Sequence, residues 1–361
     1  MLRLHRPWLV TLVGCSTLLS RETPADQPGG APPPSKTVQH VVLIALDGVR
    51  YQEIFTGVEA ARARHAGVVV VDQTALMPHL WALARRGVAL GAPTGEAFAM
   101  SGPNFVSLPG YAEMLSGRPA ACHENNCPGP AAAKTLVDAV CETAQAEPCS
   151  AAVFSSWPEI ERVATSEPGR ALLSTGREGG NARALLREIP ELAALHERGR
   201  RAAPAPGYGG YRPDNETARL ALSYLEHDRP RFTFIGLGDT DELAHAGDYG
   251  GYLRALGEAD EVIGKVSELA ARWESMNEPT VVVVTTDHGR AESFRDHGGR
   301  FPESQRSWLV AAGTGVPARG AIRLERTRFM RDLAPTLAGL LGVAFAPPVE
   351  GELLDEILDT P

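Results

Sequence analysis

The sequence predicts an α/β fold, a three-layer αβα sandwich around a central, mostly parallel sheet. Three observations carry this. Val41–Leu46 and Val281–Val284 are continuous apolar runs of strand length, as expected of strands buried on both faces, and Phe232–Leu237 reads as another strand. Segments with helical spacing separate these runs, the alternation of a parallel sheet with crossover helices. Each run also ends in acidic residues: Asp47, then Asp241 with His245, then Asp287 with His288. Functional groups in open parallel sheets gather beyond the carboxyl ends of the strands.

The chain of 361 residues is 43% hydrophobic and 22% charged, enough for one large α/β domain or two modest ones. The formal charge of −9, with no basic run, argues against a broad cationic face for nucleic acid. At the N-terminus Arg3 and Arg6 precede the apolar stretch Leu9–Val13, too short to span a bilayer. Leu12-Val13-Gly14-Cys15 resembles a bacterial lipoprotein cleavage box. Residues 1–14 therefore read as a signal peptide and Cys15 as the lipidated first residue, with a plain signal peptide as the alternative. The expected location is the periplasm or outer membrane, with the lipid as membrane anchor. Residues 15–37, with Pro32-Pro33-Pro34, read as a flexible tether to a domain over 38–361.

The domain begins with the strand Val41–Leu46, which ends in Asp47-Gly48. Leu76–Arg86 has helical spacing with Leu80, Leu83 and Ala84 on one face; Gly87 ends it, and Val88–Leu90 is a short strand. Ser107-Leu108-Pro109-Gly110 opens another helix, since proline suits a first helical turn. A hydroxyl there lies in a field that favours an anion, although serine is also an ordinary N-cap. Cys122, Cys127, Cys141 and Cys149 suggest two disulfides in an exported chain. Three pairings are possible, and the short loops favour Cys122–Cys127 and Cys141–Cys149. A four-thiolate zinc site competes but lacks C-x-x-C pairs. Lys134–Ala146 reads as a helix and Ala151–Phe154 as a strand, followed by Ser155-Ser156-Trp157. Asn181–Arg198 and Asn215–Glu226 read as helices around a Gly/Pro/Tyr-rich loop, 203–213, whose role stays open. After Phe232–Leu237, Asp241 and His245 stand four apart, on one face of a helix. Tyr249–Ala271 is a long amphipathic helix. Beyond Val281–Val284 and His297, Ser307–Ala311 reads as a strand and Arg328–Leu341 as a helix.

Asp47, Asp241, His245, Asp287, His288 and His297 make six zinc-type ligands. One such residue at a strand end is an ordinary cap or surface ion pair; three strand ends that agree are a constellation. Two-metal hydrolases hold their ions roughly 4 Å apart. The ligands divide into Asp47, Asp287 and His288 for one ion and Asp241, His245 and His297 for the other, with Ser107 as nucleophile.

This order of motifs resembles the alkaline phosphatase superfamily, particularly its phosphatase and phosphodiesterase/nucleotide pyrophosphatase branches. The resemblance runs roughly from Val38 to Ala346. It rests on Leu46-Asp47-Gly48, on Asn104 followed by Ser107-Leu108-Pro109-Gly110, on Asp241-x-x-x-His245, on Thr286-Asp287-His288-Gly289 and on His297-Gly298. It implies a small-molecule phosphate ester as substrate, two divalent ions of zinc type, and a covalent intermediate on Ser107, which is then also a metal ligand. Asn104 is a candidate oxyanion donor, with the Ser107 amide as another. The chain departs from the sulfatase pattern, which needs an arginine where Tyr111 stands. Monoesterase against diesterase stays open, and so does a non-catalytic binding lipoprotein of this fold. A lipid-headgroup phosphotransferase is disfavoured because the sequence shows no transmembrane helix.

Overall fold

The computed structural model describes residues 37–120, 122–143, 149–345 and 349–359. The expected signal peptide, Cys15 and the tether as far as residue 36 lie outside these residues, as do the last expected turn of the 134–146 helix and the Ala346 limit of the family resemblance.

Twelve strands are present among the described residues: β1 (His40–Leu46), β2 (Val88–Leu90), β3 (Phe98–Ala99), β4 (Ala151–Ser155), β5 (Leu172–Thr175), β6 (Gly179–Gly180), β7 (Phe232–Leu237), β8 (Thr280–Thr285), β9 (Arg306–Ser307), β10 (Leu309–Gly313), β11 (Gly320–Ala321) and β12 (Arg328–Phe329). Nine form one sheet in the order β11-β2-β10-β8-β1-β7-β4-β5-β6, and β12-β3-β9 form a small second sheet. The five inner strands β8-β1-β7-β4-β5 are all parallel; β10 runs antiparallel to both β8 and β2, and β6 to β5. The sheet is mixed and mostly parallel, as expected.

Burial on both faces follows from the apolar runs. Val41, Leu43 and Ala45 enter one core cluster, while Val42, Ile44 and Leu46 enter the other. Val281 and Val283 oppose Val282 and Val284 in the same way. The helices Ser107–Ser116, Leu136–Glu142 and Leu333–Leu341 cover the first face. Pro78–Arg85, Asp214–Asp228 and Tyr249–Ser275 cover the second, completing three layers. Among the described residues no helix is long and apolar enough to cross a membrane.

Several boundaries differ from the sequence reading, each for a local reason. The expected 181–198 helix breaks into Ala182–Leu185 and Pro190–Arg201, because proline at 190 starts a helix and cannot continue one. The expected 328–341 helix begins only at Leu333; Arg328–Phe329 are taken by strand pairing with β3. The strand expected over 307–311 is split at Trp308, whose neighbours belong to different sheets. The disulfides are Cys122–Cys127 and Cys141–Cys149, with Cα atoms 4.7 and 5.0 Å apart.

The helix Ser107–Ser116 comes unusually close to the end of β8. Gly110 faces the Asp287 backbone, and a Cβ there would lie 2.5 Å from the Asp287 carbonyl oxygen. In an open helix Gly→Ala gains about 1 kcal/mol. Here Gly110→Ala is expected to cost about 1–3 kcal/mol, as overpacking does. Thermal denaturation checks this: an unchanged or raised Tm would show that the helix has room to move.

Candidate metal centre and nucleophile

Pairing register puts the ends of three strands level. Leu46 of β1 lies opposite Leu237 of β7, and Ala45 opposite Thr285 of β8. Whatever follows each strand therefore emerges at one edge of the sheet. Asp47 follows directly, with its N–H donating to the Leu237 carbonyl at 2.9 Å. Gly48 takes a left-handed φ of 61° to turn the chain. Its N–H donates to Asp287 Oδ1 at 3.0 Å, and the Val49 N–H to Thr286 Oγ1 at 3.0 Å. These two bonds tie the turn after β1 to the turn after β8.

Four of the expected site residues meet there. Ser107 Oγ lies 3.3 Å from Asp47 Oδ1 and 3.2 Å from His288 Nε2. Tyr111, one helical turn on, donates to Asp47 Oδ2 at 3.0 Å. His288 Nε2 is also 3.4 Å from Asp287 Oδ2 and 3.5 Å from Asp47 Oδ1. The Nδ1 of His288 faces the Gly289 carbonyl at 2.8 Å. A carbonyl only accepts, so Nδ1 carries the proton and Nε2 keeps its lone pair, the tautomer a metal ligand needs. Ser107 is the first helical residue, and Val106 takes the N-cap position. The Ser107 hydroxyl thus points into the donor set instead of capping the helix.

The second group forms on the helix Asp239–Ala246. His245 Nε2 is 3.1 Å from Asp241 Oδ2 and 3.0 Å from His297 Nε2. His297 directs Nδ1 to the Phe105 carbonyl at 3.2 Å, so its Nε2 is the free nitrogen too. Its ring stacks on His288 with centroids 3.9 Å apart. Asp241 also belongs with Asp47 and His288, the ligand atoms of that group all lying within 4.8 Å of one another. It stands between the two groups, which the sequence could not show.

Electrostatics describe a cluster short of positive charge. Burial, then the charges of Asp287 and Asp241, push the Asp47 carboxyl well above the usual range. Burial pushes Asp287 up to about 6, and its Oδ2 has no hydrogen-bond partner. Such an orphan costs free energy unless something fills the gap. Burial lowers His288 to about 4, and burial with the nearby His288 lowers His297 to about 3, so both are neutral at pH 7. Burial alone would raise Asp241, but the Arg290 guanidinium and His245 hold it well below the usual range. The hydrogen bond to Asp241 raises His245. Carboxylate oxygens and neutral imidazole nitrogens at these distances, one of them orphaned, fit divalent ions at both groups.

A cavity of about 330 Å³ opens over Ser107, Asp47, Asp241, His245 and His297. Asn125, Trp157, Tyr208, Tyr211, Gly238 and Glu242 complete its wall, with no Lys or Arg in it among the described residues. The loop 203–213 is therefore part of the site, through Tyr208 and Tyr211. Asn104, the expected oxyanion donor, donates its amide to the Cys122 carbonyl at 3.3 Å and is not among the residues lining this cavity. Asn125 was missed. Its Oδ1 accepts from the Leu108 N–H at 3.0 Å, at the start of the Ser107 helix. The available signal was its place inside the Cys122–Cys127 loop, a short closed ring just after that helix.

The model of the Metalloenzyme superfamily matches residues 211–302, which hold five of the six candidate ligands. The chain is 24% identical over 140 residues to 2,3-bisphosphoglycerate-independent phosphoglycerate mutase of Symbiobacterium thermophilum, and 29% over 150 residues to that of Pyrobaculum neutrophilum. These matches cover 38% and 39% of the chain but only 26% and 33% of the two relatives. Among solved structures, it is similar to the phosphonate monoester hydrolase of Agrobacterium radiobacter, with TM-score 0.57, 17% identity, and coverage of 89% of this chain and 77% of that one. A 2-O GAG sulfatase gives TM-score 0.57 and 13% identity, over 88% and 73% of the two chains. At identities this low the structural likeness shows a shared fold alone.

Ion binding tests the geometry directly. The purified chain is expected to take up divalent ions, and His288→Ala and His297→Ala each to lower the bound amount, as read by elemental mass spectrometry. Removal of either imidazole strips a ligand from a different group. Unchanged metal content in both variants would show that these groups hold no ion.

Proposed function

We propose that this chain is a member of the alkaline phosphatase-like superfamily, a reading supported by the Metalloenzyme superfamily match and the shared fold, and that it hydrolyses phosphate esters through a covalent intermediate on Ser107. Two divalent ions of zinc type would be held by Asp47, Asp287 and His288 with Ser107, and by Asp241, His245 and His297. The observation that carries this reading is the Ser107 hydroxyl, 3.2 Å from His288 Nε2 and 3.3 Å from Asp47 Oδ1 beside the orphaned Asp287 Oδ2. When bound, the ions supply positive charge that favours the serine alkoxide and offsets charge on the phosphoryl oxygens.

The chain's own residues do the rest. Ser107 Oγ attacks phosphorus as the ester P–O bond breaks; the hydroxyl proton passes to solvent, and the leaving oxygen takes a proton from water. Water then attacks phosphorus, the Oγ–P bond breaks and Oγ takes up a proton to restore the hydroxyl; inorganic phosphate leaves from a monoester, a phosphate monoester from a diester. The positive end of the Ser107–Ser116 helix favours the incoming anion. Asn125, with Oδ1 held by the Leu108 N–H, offers its NH₂ to a phosphoryl oxygen. Tyr111, placed where sulfatases need arginine, holds Asp47 and so supports phosphate over sulfate. The wall without Lys or Arg, with Trp157 and Tyr208 in it, favours a diester over a dianionic monoester.

Ser107→Ala keeps the ions and removes the attacking oxygen. The expected loss in kcat is roughly 100-fold or more, a barrier rise of about 2.7 kcal/mol. Because this hydroxyl caps no helix, Tm should barely change. Turnover of 4-nitrophenyl monoester, diester, phosphonate and sulfate compounds checks both rate and preference. Near-normal kcat with both ions bound would place the chemistry elsewhere.

The proposal includes export, with lipidated Cys15 as anchor and residues 15–37 as tether. Cys15→Ala should then move the protein from the membrane fraction to the soluble periplasmic extract. A wild-type chain already soluble there would refute the anchor.

A further inference from the structure

We infer that Arg290 is the positioning residue of the His245/His297 centre, fixing both the Asp241 carboxylate and the loop that delivers His297; this rests on the two-ion reading above. Arg290 is buried at 2% exposure, yet no motif marked it. Its guanidinium serves three acceptors in different directions. Nε donates to the Phe294 carbonyl at 2.5 Å and Nη2 to the Arg295 carbonyl at 2.8 Å, while Nη1 pairs with Asp241 Oδ1.

The first two bonds shape the loop. Phe294 has a left-handed φ of 75°, costly for a side chain of that size. Its ring packs edge-on against Tyr249 and Tyr252, at 5.2 and 5.0 Å between centroids. The Ala291 N–H donates to the Asp296 carbonyl at 2.8 Å and closes the loop just before His297. The third bond orients the carboxylate. With Oδ1 committed to Arg290, Asp241 presents Oδ2 to His245 at 3.1 Å. Gly48 makes room for this contact: a Cβ there would lie 2.4 Å from Asp241 Oδ1 and 2.5 Å from Arg290 Nη1. A merely structural arginine would be served by the two loop carbonyls. The third nitrogen goes instead to the carboxylate shared by both candidate groups. Lysine, with a compact ammonium, cannot reach three such acceptors at once.

The test is metal binding by the unreacted protein. Wild type and Arg290→Lys, checked for folding by circular dichroism, are stripped of metal and titrated with Zn²⁺ and Co²⁺. Arg290→Lys is expected to keep one ion near wild-type affinity and to bind the second roughly 10-fold or more weaker, as loss of an outer partner of a ligand does. Two ions at wild-type affinity in the folded variant would overturn the inference. If Arg290→Lys does not fold, Gly48→Ala intrudes on the same contact with the guanidinium kept, and carries the same expectation and the same overturning result. A wild-type chain that binds fewer than two ions would overturn the two-ion reading, and this inference with it.

Discussion

The in-register parallel pairing of β1 with β7 and β8 is the constraint on which the rest depends. Burial of both faces fixes that register, because a slip by one residue would exchange every side chain between the two cores. Once the strands are level, Asp47, Asp287 and the Asp241 helix share one edge of the sheet. Bonds from Gly48 and Val49 to Asp287 and Thr286 then lock two of the three turns together. The site needs no long-range adjustment; it inherits its geometry from the hydrophobic layers beneath it.

The same edge concentrates charge that the fold does not neutralise. Asp47, Asp241 and Asp287 converge while burial keeps His288 and His297 neutral. Arg290 compensates Asp241 but leaves Asp287 Oδ2 without a partner. Folding holds these groups together through packing elsewhere, and ion binding can repay the electrostatic cost. On this account an affinity for ions and the electrostatic cost of gathering these acids are two sides of one arrangement.

Placement of Ser107 depends on close approach as much as on charge. Pro109 suits the first helical turn, and Gly110 lets the helix backbone come against the Asp287 carbonyl. Glu113, farther along the same helix, accepts from the Ser101 N–H and hydroxyl and from the Arg331 N–H, holding the chain that leads into the helix. The Cys122–Cys127 loop closes over the helix start through Asn125. The hydroxyl is therefore positioned from below, from behind and from the side.

The sequence by itself determined the layers and most of the candidate ligands. Four valines in a row can only be satisfied between two apolar layers, and acids at three strand ends must then share an edge. Spacing of four on a helix was enough to pair Asp241 with His245. Tertiary structure decided what spacing cannot encode. Arg290 and Asn125 look like ordinary polar residues in the sequence, and their roles come from partners 49 and 17 positions away. Asn104, close to Ser107 in the chain, faces Cys122 instead. Asp241 falls between both groups because His288 and Asp47 arrive from other strands. Local pattern reports which face a residue takes; which atoms finally meet across the edge is set by register, burial and the turns that only the folded chain brings together.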